Sequence, residues 1–151
     1  MSALDLLGIA DALAERYSAA ELTAPSGLTT VRGSTARLPN NIPAMPFVGV
    51  FPPAGSSITY TGQRRMEHLF AVRFFFGESA GDLSRNLVAL YRWWTVLADQ
   101  THAATKLGVA AVMKALPESY TIGTFEYAGT SYDGIEFAVR VWTEDEVTLV
   151  A

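Results

Sequence analysis

The sequence predicts an α+β domain, with a mainly antiparallel or mixed sheet and two helices packed on one of its faces. Three observations predict it. Two amphipathic stretches, "LLGIADALAERY" and "LVALYRWWTVLAD", stand apart in the chain. The runs between and after them alternate apolar and polar residues, the period of a half-buried strand. The order helix, strands, helix, strands also lacks the regular alternation of a parallel α/β fold. At 151 residues, the chain suits a single domain over 1–151, of a size that buries about 68–70% of its unfolded surface.

The first helix is expected over 3–18, where Leu6, Ile9, Leu13 and Tyr17 recur at helical spacing and Ser2 serves as N-cap. Residues 21–46 are rich in Pro, Gly and Asn and read as turns, with one short extended piece near 35–38. "PFVGVFPP" gives a strand over 47–51, ended by Pro52 and Pro53, which lack the N–H a ladder needs. "AGSS" reads as a flexible connection. A hairpin follows, with arms 58–61 and 64–76 around Gly62-Gln63. Even positions of its second arm turn fully apolar from Phe70 onward, so that face packs on the helices. The second helix is expected over 82–98, capped by Asp82, with Leu83, Leu87, Leu90, Trp94 and Leu97 as its buried stripe and Tyr91 and Trp93 off centre. Three strands close the chain, at 109–116, 120–127 and 135–143, the last two joined by "AGTSYDG".

Composition bounds the function. Half the residues are hydrophobic and 17% are charged, a surplus of apolar side chains that suggests contacts with other chains. The net charge of −4 argues against a binder that neutralises nucleic-acid phosphates. Cysteine is absent, which removes disulfides, thiolate nucleophiles and cysteine metal sites together. The first twenty residues lack the basic-then-apolar pattern of a secretory signal, and no apolar run approaches a membrane span, so a soluble cytoplasmic product is expected.

The strongest chemical motif is Gly77-Glu78-Ser79-Ala80-Gly81, a G-x-S-x-G match between a strand-like and a helix-like run. A nucleophile elbow would place Ser79 on a sharp turn of a parallel sheet, followed downstream by an acid and a histidine. Only one helix precedes Ser79, too few for the crossovers of that sheet, and only His102, with Asp99 three residues before it, follows. The glycines serve a turn into a capped helix instead, and Ser79 is read as a structural residue. His68 and Glu67 are strand neighbours and point to opposite faces, so they form no dyad. Glu144, Asp145 and Glu146 read as a solvated acidic turn rather than a cation loop, which needs more spaced oxygen ligands. Gly129 to Gly134 has the outer spacing of a phosphate loop without its Lys-Ser/Thr. Trp93 and Trp94 could stack a ligand, but a helix burying one tryptophan and half-burying the other explains them.

The helix "LLGIADALAERY", the proline-rich "LPNNIPAMPFVGVFPP", the hairpin "TYTGQRRMEHLFAVRFFF", the helix "LVALYRWWTVLAD" and the hairpin "FEYAGTSYDGIEFAVRVW" succeed one another along nearly the whole chain. The most specific part is the last, with Tyr127, Gly129, Tyr132 and Gly134 before an alternating strand. In this pattern the chain resembles the tail terminator proteins of long, flexible-tailed, siphovirus-type bacteriophages. The resemblance implies a structural virion protein of the tail neck, assembled in the host cytoplasm, that forms a homohexameric ring. Such a ring caps the head-proximal end of the tail tube, stops its polymerisation and offers a surface for head-completion or connector proteins. It implies no catalytic residues, no cofactor and no metal, and a channel through which genomic DNA passes without specific binding.

The hairpin and its loop, 53–65, are the expected ring- or tube-facing element, with Ser56, Ser57, Thr59, Gln63, Arg64, Arg65 and Glu67 as candidate interface residues. Arginine–carboxylate pairing across subunits would suit them. The acidic balance would suit the wall of a channel that passes DNA without sticking, and on that reading charge reversal of Glu144, Asp145 and Glu146 should leave assembly intact, whereas failed assembly would make the run an interface. The alternatives are another neck or connector component, a small esterase using Ser79, and a ligand-binding domain with an aromatic pocket around Phe74, Phe76 and Trp94.

Overall fold

The computed structural model of the chain describes residues 4–60, 62–103 and 107–146. Its elements run α1 (Leu6–Arg16), β1 (Gly33–Thr35), β2 (Phe47–Val50), β3 (Ala54–Tyr60), β4 (Gln63–Glu78), a 3-10 turn (Leu83–Arg85), α2 (Leu87–Ala103), β5 (Val112–Tyr127) and β6 (Thr130–Glu146). The six strands make one mixed sheet of order β1-β2-β4-β6-β5, with β3 also paired to β4. Among the described residues only β1–β2 is parallel. The fold class is α+β, as the alternation of the runs predicts.

Both helices lie on one face of the sheet. Ile9, Leu13 and Tyr17 of α1 and Leu90, Trp93 and Leu97 of α2 share one buried cluster with Phe70, Val72 and Phe74 of β4 and Ile135, Phe137, Val139 and Val141 of β6. These β4 residues are the even positions that turn apolar, and their β6 partners are fixed by register, as in Phe70 opposite Val139. Two polar ties hold the helices together. The Tyr17 hydroxyl bonds Thr101, and Gln100 Nε2 donates to the Arg16 carbonyl at 2.9 Å. A smaller aromatic cluster, Phe47, Phe75 and Tyr132, lies apart from the main core and packs with Ile42, Met45 and Phe51.

Several expected boundaries move. Helix α1 starts at Leu6 with Asp5 as its cap, accepting from the Gly8 N–H at 2.8 Å, and the expected cap Ser2 lies outside the described residues. The extended piece is Gly33–Thr35 rather than 35–38. "AGSS" is no flexible connection, because Ala54 to Ser57 pair with Leu69 to Met66 along β4. Asp82 caps the 3-10 turn and α2 begins five residues later. Strand β5 runs unbroken where two strands were expected, since a register shift at Pro117/Ser119 absorbs the proline. The expected seven-residue link to β6 shrinks to Ala128-Gly129, both at positive φ (52° and 83°), the signature of a two-residue hairpin turn. Gly134 is needed where β6 crosses closest to β4, because a Cβ there would collide with the Phe74 carbonyl oxygen.

Candidate functional site

Register sorts the candidate residues onto two faces. Ser56 stands opposite Glu67, and Arg65 opposite Glu144, on the face away from the helices; Ser57 and Arg64 alternate to the other side. Gln63 is exposed beside the turn, and the Thr59 backbone pairs with Arg64.

The helix-free face is an ion-paired ladder. Arg140 forks onto Glu118 (2.8 and 2.9 Å) and reaches Glu67 at 2.9 Å. Glu67 also accepts from Trp142 Nε1 at 3.1 Å, while Lys114 Nζ sits 4.4 Å from the Trp142 ring centre. Arg65 bonds Glu144 at 2.8 Å, and Arg73 bonds Glu136 at 2.5 Å with its guanidinium over the Phe51 ring. The Arg140 hydrogen bonds hold the Glu118 carboxyl below the ordinary carboxylate value, and those of Glu118 raise Arg140 in turn. Beside this ladder opens a groove of about 580 Å³, lined among others by Ser56, Ile58, Arg65, Glu67, Met113 and Trp142.

At the same end of the sheet the helix-side face turns polar. Arg64 grips Asp145 with two hydrogen bonds, at 3.1 and 2.6 Å, and the Asp145 side chain is only 3% exposed. Next to it His68, buried, shares a 3.0 Å hydrogen bond with Thr143. Two expectations are corrected here. Glu144, Asp145 and Glu146 are the end of strand β6 rather than a solvated turn, and Arg64 and Arg65 are committed inside the chain rather than held out for carboxylates of a neighbour. Reversing all three acids therefore breaks the fold before it tests assembly. Charge at cross-strand positions carried the missed signal: Arg64-Arg65 oppose Asp145 and Glu144 once the β4–β6 register is known.

Burial first, and the Arg64 charge second, lower the His68 pKa from 6.5, with Asp145 opposing. The folded state thus prefers the neutral ring, whereas the unfolded chain takes a proton near 6.5. Stability is complete above that value and falls as pH drops through it toward the folded pKa. Urea unfolding at pH 7.5 and 5.5 should show a loss of stability at the lower pH that is smaller in His68→Gln. Equal losses in both proteins would assign the effect to other groups.

Ser79 sits just past the end of β4, its N–H bonded to the Ser131 carbonyl at 2.9 Å and its hydroxyl accepting from the Gly81 N–H at 3.3 Å. The strand before it is antiparallel to its neighbours, and His102 lies at the far end of α2, a helix about 25 Å long at 1.5 Å per residue. Ser79→Ala should change stability by less than about 0.5 kcal/mol, and a fluorophosphonate probe should label neither protein. Labelling lost in the variant would restore the nucleophile.

The other motifs fall to structural roles. Asp133, fully buried, accepts from Asn86 Nδ2 (2.8 Å) and Thr124 Oγ1 (3.1 Å), so Gly129 to Gly134 is a hairpin and its buried anchor. Phe74 packs 4.7 Å from Trp93, both fully buried, whereas Phe76 and Trp94 of the expected aromatic pocket are half-buried and Phe76 lines a cavity of about 270 Å³ with Met45 and Pro46. Among the described residues no three metal-ligating side chains converge, and no helix is long and apolar enough to cross a membrane. Glu67, Glu118, Glu136, Glu144 and Asp145 each accept from an arginine, an arrangement suited to fixing a surface rather than to moving protons. No protein-family model matches the chain, and no curated protein matches it.

Proposed function

We propose that this chain is a structural ring protein that caps the head-proximal end of a phage tail tube, acting as a tail terminator. The observation that carries the reading is the placing of large apolar side chains in solvent on elements flanking the core. Ile58 on β3, Met113 and Tyr120 on β5, and Val88 and Tyr91 on α2 are exposed, although the main core is fully packed. Ile58 and Met113 line one groove; apolar exposure grouped in this way suits contacts with other chains, and it gives the apolar surplus of the sequence a use. The acidic balance suits the wall of a channel that passes DNA without holding it.

Strand outweighs helix, with only 11 and 17 residues in α1 and α2, which removes support from the more helical neck components. In this role the ring ends tube polymerisation and presents its other side to head-completion or connector proteins. Its place is the neck of the virion.

The test is native mass over a range of concentration, with negative-stain images, followed by addition to polymerising tube protein of the same phage. The expected result is an open-centred ring of about six 16.3 kDa chains that arrests tube growth. A protein that forms no ring, alone or on tubes, and leaves tube growth unchanged overturns the reading.

A further inference from the structure

A sheet edge is a row of free N–H and C=O groups, and proteins that stay monomeric blunt it with charge, proline, bulges or a cover. Among the described residues the sheet has three outer edges. That of β1 is three residues long and tied to α1, with Ser34 Oγ donating to the Ala14 carbonyl at 2.5 Å. The first half of β5 is blunted by two register shifts, Pro117, Lys114 and Glu118. Its second half is not. Residues 119–125, "SYTIGTF", carry no charge, proline or bulge, and Tyr120 is 53% exposed. Strand β3, "AGSSITY", is equally unguarded: it has no charge, no proline and an unbroken register, and Ile58 is 61% exposed.

These two open edges lie on opposite flanks of the β4–β6 pair. We infer that the outer edge of β3 takes the 119–125 edge of a second copy of this chain, so that the sheet continues from subunit to subunit. The two edges differ in sequence, so the contact is head-to-tail. Contacts of that kind close into rings or run on as filaments, whereas a β3–β3 contact would stop at a dimer and leave β5 open. Main-chain hydrogen bonds supply most of such a contact, which fits the absence of free arginine on the hairpin. The inference deepens the ring reading and rests on it for closure.

The natural absence of cysteine allows a direct test. Ser57→Cys and Thr121→Cys place one exposed thiol on each edge, and a bifunctional maleimide spanning two or three strand spacings joins thiols brought together by the contact. An equimolar mixture of the two single variants should give cross-linked dimers, and the double variant a ladder ending at the ring size. Ile58→Lys and Thr121→Lys, at exposed positions, should keep the monomer's thermal transition and weaken association by about tenfold or more, through the same edge-blunting that charge gives natural sheets.

Dimers from Ser57→Cys alone would show a β3–β3 contact and overturn the inference. So would the absence of cross-links in a protein that forms rings, a result that leaves the terminator reading standing. Cross-links in an endless ladder, abolished by Ile58→Lys, would keep the edge contact and remove the terminator reading. A wild-type chain that stays monomeric with no cross-link at any concentration overturns the inference.

Discussion

Asp145→Ala is expected to cost about 2–4 kcal/mol of folding stability, whereas Glu144→Ala, one residue away, should cost less than about 1. The difference is one of burial. Asp145 is almost wholly out of water and takes two hydrogen bonds from Arg64, whose side chain is 33% exposed. Removing the carboxylate leaves a half-buried guanidinium without its partner, in a polar layer that already holds His68 and Thr143. Glu144 and Arg65 meet at a similar distance on the open face, where water screens the pair and compensates its loss. Chemical denaturation of the two variants decides the matter. Similar costs would mean that burial does not set the energy of these pairs. A second comparison separates the pair from its shape: Arg64→Met with Asp145→Leu should recover much of the loss, because an apolar pair of similar volume avoids desolvating two charges.

The parts of the fold that obey a period were legible. The even positions of β4 from Phe70 to Phe74 are buried as the alternation requires, and the apolar stripe of α1 holds at Ile9, Leu13 and Tyr17. Boundaries were less legible, because they depend on groups distant in sequence. "AGSS" has the composition of a linker and becomes strand because β4 offers it a free ladder. "TSYD" resembles a loop and becomes β6 because two positive-φ residues suffice for the turn. The arginines of the hairpin were found, and their partners were not. Arg64 and Asp145 lie 81 positions apart, and nothing local in either tract tells which will face water. The open edges behind the proposed subunit contact are also a property of pairing: a strand is an edge only relative to the strands that fail to join it. The proposed phage role rests on the order of motifs along the chain and on what the sheet leaves exposed.

Trp93→Ala is expected to cost about 3–5 kcal/mol and Trp94→Ala about half as much or less. Helical spacing from Leu83 and Leu87 placed Trp94 in the stripe, but α2 proper starts at Leu87 after a 3-10 turn, and the change of twist rotates the buried face. The stripe is Leu90, Trp93, Leu97 and Thr101. Trp93 is 0% exposed and lies against Phe74; Trp94 is half-buried and stacks on Tyr120 at 4.3 Å near the sheet edge. Trp93→Phe sharpens the comparison. The Trp93 Nε1 is buried with no hydrogen-bond partner among the described residues, so phenylalanine loses packing volume but also removes an unsatisfied donor. Its net cost should stay below about 1.5 kcal/mol. Urea denaturation of the three variants reads all of this. Equal costs for Trp93→Ala and Trp94→Ala would return the stripe to the position that simple periodicity gives it. A Trp93→Phe as damaging as Trp93→Ala would mean that the indole N–H is satisfied in solution and belongs to the core's polar bonding.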